Sequence, residues 1–392
     1  MRPLQGIKVV TFEHAIAAPF CTRQLADLGA RVIKIERPGS GDFARGYDER
    51  VSGLASHFVW THRSKESLTL DVKQPQALDI VHRLLADADV FVQNLAPGAA
   101  ERLGFGYQTL STKYPKLIVC DISGYGLDGP FRDKKAYDLL IQSESGFLSI
   151  TGSDGKPAKA GCSIADIAAG MYGYTNILAA LLERAQTGRG KHIDVSMLES
   201  MVEWMGYPLY YSIDGQSPPP QAGASHATIF PYGPFIAGDG KTVMLGLQNE
   251  REWKHFCETV IVRPDLLADE RFASNSGRTK HRDELTRVIV EAFSTLTAEQ
   301  VIERLEQASI ANARMNDMHD VWHHAQLKAR QRWTQVSTSA GDMPALYPPG
   351  QSADDEPRMD AVPALGAHTD AILQELGFSP TEVEALHAAR AV

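Results

Sequence analysis

The sequence predicts an α/β fold built on an open, mostly parallel sheet, in a chain of two domains. Three observations predict it. Short β-rich runs alternate with helical patterns through the first third of the chain. The opening elements follow a β-α-β order, which implies a parallel pair joined by a right-handed crossover. The 392 residues exceed one ordinary hydrophobic core.

Gly6 to Glu13 is the first strand, Ala17 to Gly29 the first helix and Arg31 to Arg37 the second strand. The turn Pro38-Gly39-Ser40-Gly41-Asp42 hints at a dinucleotide fingerprint. Its glycines follow the second strand, the third glycine is misplaced and no apolar helix opens behind them, so nicotinamide or flavin is not expected. Ser67 to Val72 alternates in polarity like a strand, Gln74 to Ala88 is an amphipathic helix, and Asp89 to Asn94 is a strand that ends in the turn Leu95-Ala96-Pro97-Gly98. Leu117 to Ser123 and His192 to Val195 are further strands, and Tyr137 to Leu148 is helical. In such sheets ligands gather at the carboxyl ends of the strands, which here carry Glu36-Arg37, Asn94 and Ser123-Gly124-Tyr125-Gly126.

The stretch from Lys159 onward is the most informative. Ile167, Met171, Tyr174, Ile177, Leu178, Leu181 and Leu182 recur at helical spacing, and Gly188-Arg189-Gly190 ends the run. Ser163 and Asp166 stand at the spacing of a capping box. In one reading Asp166 only satisfies backbone N–H groups of the first turn. In the other it is a nucleophile, kept ionised by the helix dipole. The local residues leave both open.

Beyond Trp204, the run Ser217-Pro218-Pro219-Pro220 reads as a linker. Ile229 to Leu247 reads as two strands around Gly238-Asp239-Gly240, and helical patterns cover Glu250 to Val260 and Asp283 to Gln307. Helix and then loops are expected from Asn312 to Gly350, and a helix interrupted at Gly377 closes the chain.

Composition narrows the function. A net charge of −9 and no Lys/Arg-rich block argue against nucleic acid as a partner. Four scattered cysteines without a C-x-x-C pair fit reduced thiols in the cytoplasm. No apolar segment of about 18 residues is present, so no membrane span is expected, and the first residues lack the apolar core of a signal peptide. No His/Cys cluster calls for a metal.

The motifs taken together resemble the class III CoA-transferases of the CaiB/BaiF type, a family that includes formyl-CoA and carnitine CoA-transferases and α-methylacyl-CoA racemase. The matching residues are Pro3-Leu4 with Gly6-Ile7, Ala18-Pro19 with Cys21-Thr22, and Leu25 with Leu28-Gly29-Ala30. They continue through Val32 to Arg37, Arg63 with Lys65 and Ser67-Leu68, Asn94 with Pro97-Gly98, and Ser123 to Gly126. Tyr137-Asp138 with Gln142, the Asp166 helix, Thr187 to Gly190, Pro231-Tyr232-Gly233, Asp239-Gly240 and Gly366 with His368-Thr369 complete the set.

This resemblance implies a large Rossmann-like domain over 1-216, completed by 330-392, and a smaller α+β domain over 225-329, in an interlocked homodimer. It places the catalytic aspartate on Asp166, which attacks an acyl-CoA thioester to give an aspartyl–acyl anhydride and later an aspartyl-CoA thioester. It also implies coenzyme A contacts at Arg37, Leu70, Asn94, Arg102, Lys135 and Tyr137, with CoA thioester as substrate and no resident cofactor. Ile16 stands where some relatives carry a Gln, and the run Gln248-Asn249-Glu250-Arg251 replaces the glycine loop of the formyl-CoA enzymes. His14, Asp138 and His226 are further pocket candidates. Arg45 and Arg251 are the cations expected to meet a second substrate carboxylate. The overall likeness points to succinyl-CoA as donor and a C4–C5 acid such as itaconate or citramalate as acceptor. The alternative on this fold is a 2-methylacyl-CoA racemase, whose catalytic His falls on Tyr137. A phenol is far too weak a base for that role.

Overall fold

The structure is a computed structural model that describes residues 2–350 and 355–392. The chain divides into two compact units, one of Met1–Phe147, Ala160–Gly206 and Leu327–Val392, the other of Leu148–Lys159 and Tyr207–Gln326.

The first unit is organised by a six-stranded sheet. In chain order its elements are β1 (Lys8–Phe12), α1 (Ala17–Asp27), β2 (Arg31–Glu36), α2 (Ser56–His62), β3 (Lys65–Thr69), α3 (Pro75–Ala86), β4 (Val90–Gln93), β5 (Ile118–Ser123), α4 (Asp138–Glu144), α5 (Ile164–Thr187) and β6 (His192–Ser196). The strand order is β3-β2-β1-β4-β5-β6, and every pairing is parallel. The expected mixed α/β fold with a parallel central sheet is therefore present. The chain winds outward from β1 through β2 and β3, then returns to β4 on the other side of β1. The crevice between the carboxyl ends of β1 and β4 is the switch point at which open parallel sheets bind ligands.

Helices cover both faces, so the strands read as apolar runs. On one face Val9, Val32, Val92, Cys120 and Ile122 pack against α1 and α5. On the other, Val10, Ile33, Phe91 and Val119 pack against α3 and the C-terminal helices Thr369–Glu375 and Pro380–Ala388. The returning tail is also hydrogen bonded to β3: Gly366 N–H donates to Ser67 Oγ at 2.9 Å and Thr69 N–H to Thr369 Oγ1 at 3.0 Å. Close approach of α5 to α1 depends on Gly170, where a Cβ would lie 2.7 Å from the Ala17 carbonyl oxygen. That approach sets Asp166, one turn earlier in α5, beside the loop that opens α1.

The helix expected after Asn312 is present as Met318–Trp322 and Ala325–Ala329, but the loops expected beyond it hold a β-hairpin, Trp333–Thr338 paired with Gly341–Leu346. Pro344 lies within this two-stranded ribbon, which has only edges, where a proline is tolerated.

The second unit has a three-stranded antiparallel sheet with Thr242–Gly246 between Tyr232–Ile236 and Ala311–Arg314. The first two strands form the hairpin that Gly238-Asp239-Gly240 signals. Helices Glu250–His255, Arg282–Phe293 and Ala298–Gln307 bury Trp253, Phe293, Val301 and Leu305 in its core. No helix among the described residues is long and apolar enough to cross a membrane.

Candidate active site

At the switch point, β1 runs into His14-Ala15-Ile16 before α1 begins. The Asn94 amide, at the end of β4, straps this loop across the crevice. Its Oδ1 accepts from His14 N–H at 2.8 Å and its Nδ2 donates to the His14 carbonyl at 2.9 Å. From the other side Asp42 Oδ1 accepts from Ala15 N–H at 3.3 Å and Ala44 N–H at 2.9 Å, and lies 3.8 Å from His14 Nδ1. Ala15 is held at φ 59°, a left-handed conformation that these bonds must sustain.

Asp42 is part of a fully buried ionic cluster below the loop. Lys34 Nζ donates to Asp42 Oδ2 and lies 2.6 Å from His62 Nε2. Lys65 Nζ donates to Glu13 Oε1 at 2.7 Å and the Pro19 carbonyl at 2.9 Å, and Glu13 Oε2 accepts from Thr22 Oγ1 at 2.6 Å. Burial opposes charge on Asp42, but His14, Lys34 and the Ala44 N–H together hold its carboxyl well below the usual range. Burial, reinforced by Lys34 and Lys65, keeps His62 neutral.

Asp166 stands at the third position of α5. The capping box expected with Ser163 does not form, because the Ser163 hydroxyl makes no cap bond. Asp138, at the start of α4, caps α5 instead. Its Oδ1 accepts from Ala165 N–H at 2.8 Å and Asp166 N–H at 3.4 Å. Its Oδ2 accepts from Gln142 Nε2 at 2.7 Å, and Gln142 Oε1 in turn accepts from Ala160 N–H at 2.9 Å. Tyr137-Asp138 and Gln142 thus anchor the Gly161-Cys162-Ser163 turn from outside. Among the described residues the Asp166 carboxyl accepts no side-chain or backbone hydrogen bond. Burial first, and the Asp138 charge second, push it up to about 7. The expectation that the helix dipole keeps it readily ionised is corrected: Asp138 takes the helix donors, and a like charge remains beside it.

Three residues that sequence reasoning missed belong to this neighbourhood. Phe43 stacks on His14 with ring centroids 5.3 Å apart, Tyr47 lies 5.8 Å beyond Phe43, and His57 lies 5.4 Å beyond Tyr47. Burial, then the charges of Asp42, Asp166 and Tyr137, push the Tyr47 phenol up to about 12, so it keeps its proton. For Phe43 and Tyr47 the signal was the short Asp42-capped turn after β2, which sequence reasoning used for a weak dinucleotide hint, for the family resemblance and for Arg45 but not for its aromatic residues; His57 follows in α2.

Comparison with known proteins decides what this arrangement belongs to. The model of CoA-transferase family III matches residues 4–369. The chain belongs to CoA-transferase family III. A succinyl-CoA:glutarate CoA-transferase of Mus musculus is 33% identical over 96% of this chain and 87% of its own. A succinyl-CoA:mesaconate CoA-transferase of Haloarcula hispanica is 34% identical over 87% of each. Among solved structures, a CAIB/BAIF family protein from Brucella suis superposes with a TM-score of 0.84 at 32% identity, covering 96% of this chain and 99% of that one.

As a family III CoA-transferase this enzyme takes CoA thioesters as substrates and needs cations for their phosphates. Arg37, just past β2, and Lys135, just before α4, are exposed and have no carboxylate partner among the described residues. Arg102 is exposed and bends back to the Pro97 carbonyl at 3.4 Å. Tyr137 is 66% exposed.

Four residues differ from expectation. Leu70 is 1% exposed within the core, so its side chain offers no surface to an adenine. The Asn94 amide is committed at both ends to His14 and acts on the loop. Ile16 is 2% exposed and faces the core. Arg45 clamps Glu36 at 2.7 and 2.9 Å and lies 3.8 Å over the Phe58 ring, so its fork is not open to a substrate carboxylate. His226 and Arg251 lie in the second unit. His226 Nδ1 accepts from Thr228 and Ile229 N–H and its ring stacks on Tyr232, whereas Arg251 is exposed in the first turn of Glu250–His255.

Proposed function

We propose that the enzyme moves CoA from succinyl-CoA to a small dicarboxylic acid of four or five carbons, itaconate or citramalate among them, with Asp166 as nucleophile. The observation that carries this reading is the Asp166 carboxyl, which among the described residues accepts no hydrogen bond, at a helix start that another residue caps. The names of the relatives support the donor and the acceptor class: both use succinyl-CoA, and glutarate and mesaconate are C5 dicarboxylates.

One carboxylate oxygen of ionised Asp166 attacks the thioester carbonyl. The C–S bond breaks, CoA leaves as thiolate, and an aspartyl–succinyl anhydride remains. The thiolate then attacks the aspartyl carbonyl and releases succinate, leaving an aspartyl-CoA thioester. The acceptor carboxylate attacks that thioester and forms a second anhydride, which CoA thiolate cleaves at the acceptor carbonyl. Asp166 is restored, and no proton is consumed overall. Backbone N–H groups of the Gly161 turn are suited to the developing oxyanions. Arg37, Arg102 and Lys135 meet the CoA phosphates, and Tyr137 lies beside the CoA thioester. Tyr47, with its proton retained, and His14 are the polar groups of the first unit for the acceptor.

Incubation with succinyl-CoA and a panel of acids, read by mass spectrometry, is expected to give CoA thioesters of C4–C5 dicarboxylates fastest. Preference for carnitine, butyrate, an aromatic acid or oxalate would overturn the acceptor assignment and leave the chemistry standing.

We also propose that two copies work as a cytoplasmic homodimer. Leu139 and Leu140 on α4, and Tyr207, Leu209, Tyr210 and Ile213 in the second unit, are large apolar side chains each about half exposed or more. Exposed apolar patches of that kind mark an interface. Sedimentation at nanomolar concentration should give a dimer mass of twice 42.9 kDa, and a monomer mass would refute it.

A further inference from the structure

We propose that Asp138 is a positioning residue for the transfer chemistry: it takes the place of the Ser163 hydroxyl at the start of α5, so that no capping box forms, and thereby leaves Asp166 free to attack and sets the pH range in which it does. The inference rests on the reading of Asp166 as nucleophile. In a capping box the N-cap hydroxyl takes N–H groups of the first turn while the carboxyl of the third residue folds back to the N-cap N–H. Here the Asp138 carboxylate stands in for the Ser163 hydroxyl, at 2.8 Å from Ala165 N–H and 3.4 Å from Asp166 N–H, and the reciprocal bond of Asp166 is not made. Gln142, itself fully buried, fixes Asp138 through its Oδ2 and holds the preceding strand of backbone through Ala160. The arrangement separates two tasks that one carboxylate cannot perform together. A carboxylate tied to two or three backbone N–H groups is a poor nucleophile with a low proton affinity. A carboxylate without them is a stronger one.

Asp138, at the start of α4, is the charge that acts on Asp166, and the Asp166 charge acts in turn on Tyr47 after the Asp42-capped turn. His14 lies on the loop held by Asn94. Asp138 is a like charge, so removing it must ease ionisation of Asp166. Burial outranks Asp138 as the cause of its raised proton affinity. The change is therefore a shift of the profile toward acid, with the midpoint still above that of an ordinary aspartate.

The test compares wild type with Asp138→Asn and Asp138→Ala, following CoA release from succinyl-CoA between pH 5 and 9. Wild-type kcat/KM should rise with pH and level off above a midpoint near 7. At pH 6 it should stand at about a tenth of its plateau, since one pH unit is a factor of ten in the ionised fraction. Asp138→Asn keeps an acceptor for Ala165 N–H, and its midpoint should move to lower pH. Asp138→Ala returns the donors to the Ser163 hydroxyl and lets Asp166 close the capping box onto Ser163 N–H, and kcat should fall by about a hundredfold or more while KM for succinyl-CoA changes less than about threefold. Coincident midpoints for wild type and Asp138→Asn, with unchanged kcat in Asp138→Ala, overturn the proposal while a trapped adduct on Asp166 keeps the nucleophile reading. A wild type that forms no adduct on Asp166, together with an active Asp166→Asn, overturns both. Circular dichroism and melting of each variant separate loss of fold from loss of positioning.

Discussion

Replacing Asp166 with alanine is expected to reduce CoA transfer to below about a thousandth of wild type, because it removes the atom that forms the covalent bond. Succinyl-CoA should still bind, since the cations assigned to its phosphates are untouched. Hydroxylamine added to wild type under turnover should leave a hydroxamate on Asp166, found by peptide mass, and none on the variant. A second readout is stability. Burial and Asp138 raise the Asp166 carboxyl from 3.8 to about 7. The folded protein therefore holds this proton more tightly than the unfolded chain. The advantage of the protonated form is intact below about pH 4, declines as pH rises, and is gone above the folded value. Asp166→Asn removes that penalty. It should melt higher than wild type at pH 8, by a few kcal/mol at most, and match wild type near pH 4. A variant that loses stability at pH 8 would show that the Asp166 charge is compensated by a partner.

Much of this site was legible in the sequence because its parts are local. The inner strands β1 and β4 and most of β5 are apolar, as strands covered on both faces are, and the long helices of the first unit carry clear periodicity. The α5 run showed Asp166 at a helix start but left its role open, and the resemblance to the family singled out Asp166 and Tyr137-Asp138 with Gln142. What Asp138 does was not visible, since its target lies 27 residues away in α5. The same holds for Asn94, Arg45 and Leu70. Their residue types suit CoA or a carboxylate, and only the fold shows the Asn94 amide bound to a loop 80 residues away, Arg45 closed on Glu36 and Leu70 sealed in the core. In β2, Lys34 and Glu36 look like a solvent face by alternation. Both are buried, because the charges that neutralise them, Asp42 for Lys34 and Arg45 for Glu36, arrive from the turn after β2.

That buried cluster carries the second large effect. Lys34→Met should destabilise the protein by about 3–5 kcal/mol, the range for removing one partner of a buried ion pair. Methionine fills most of the lysine volume, so the loss is electrostatic and no cavity accounts for it. The size of the loss depends on what replaces the missing cation. His62 Nε2 lies 3.7 Å from Glu13 Oε1 and 3.9 Å from Asp42 Oδ2. It is neutral because it is buried and because Lys34 and Lys65 stand beside it. With Lys34 gone, His62 can take up a proton and pair with Asp42. That compensation is available only where protons are plentiful, so the variant should lose less stability at pH 6 than at pH 8. Adding Asp42→Asn removes the orphaned carboxylate and should recover most of the stability at pH 8. Turnover should return with stability, because the amide keeps an acceptor for Ala15 N–H and so holds the His14-Ala15-Ile16 loop beside Asp166. Denaturant unfolding of wild type and the two variants at both pH values measures these differences. Equal losses for Lys34→Met at pH 6 and pH 8 would show that His62 does not answer for the missing charge, and a stable but inactive double variant would show that the site needs the Asp42 charge itself.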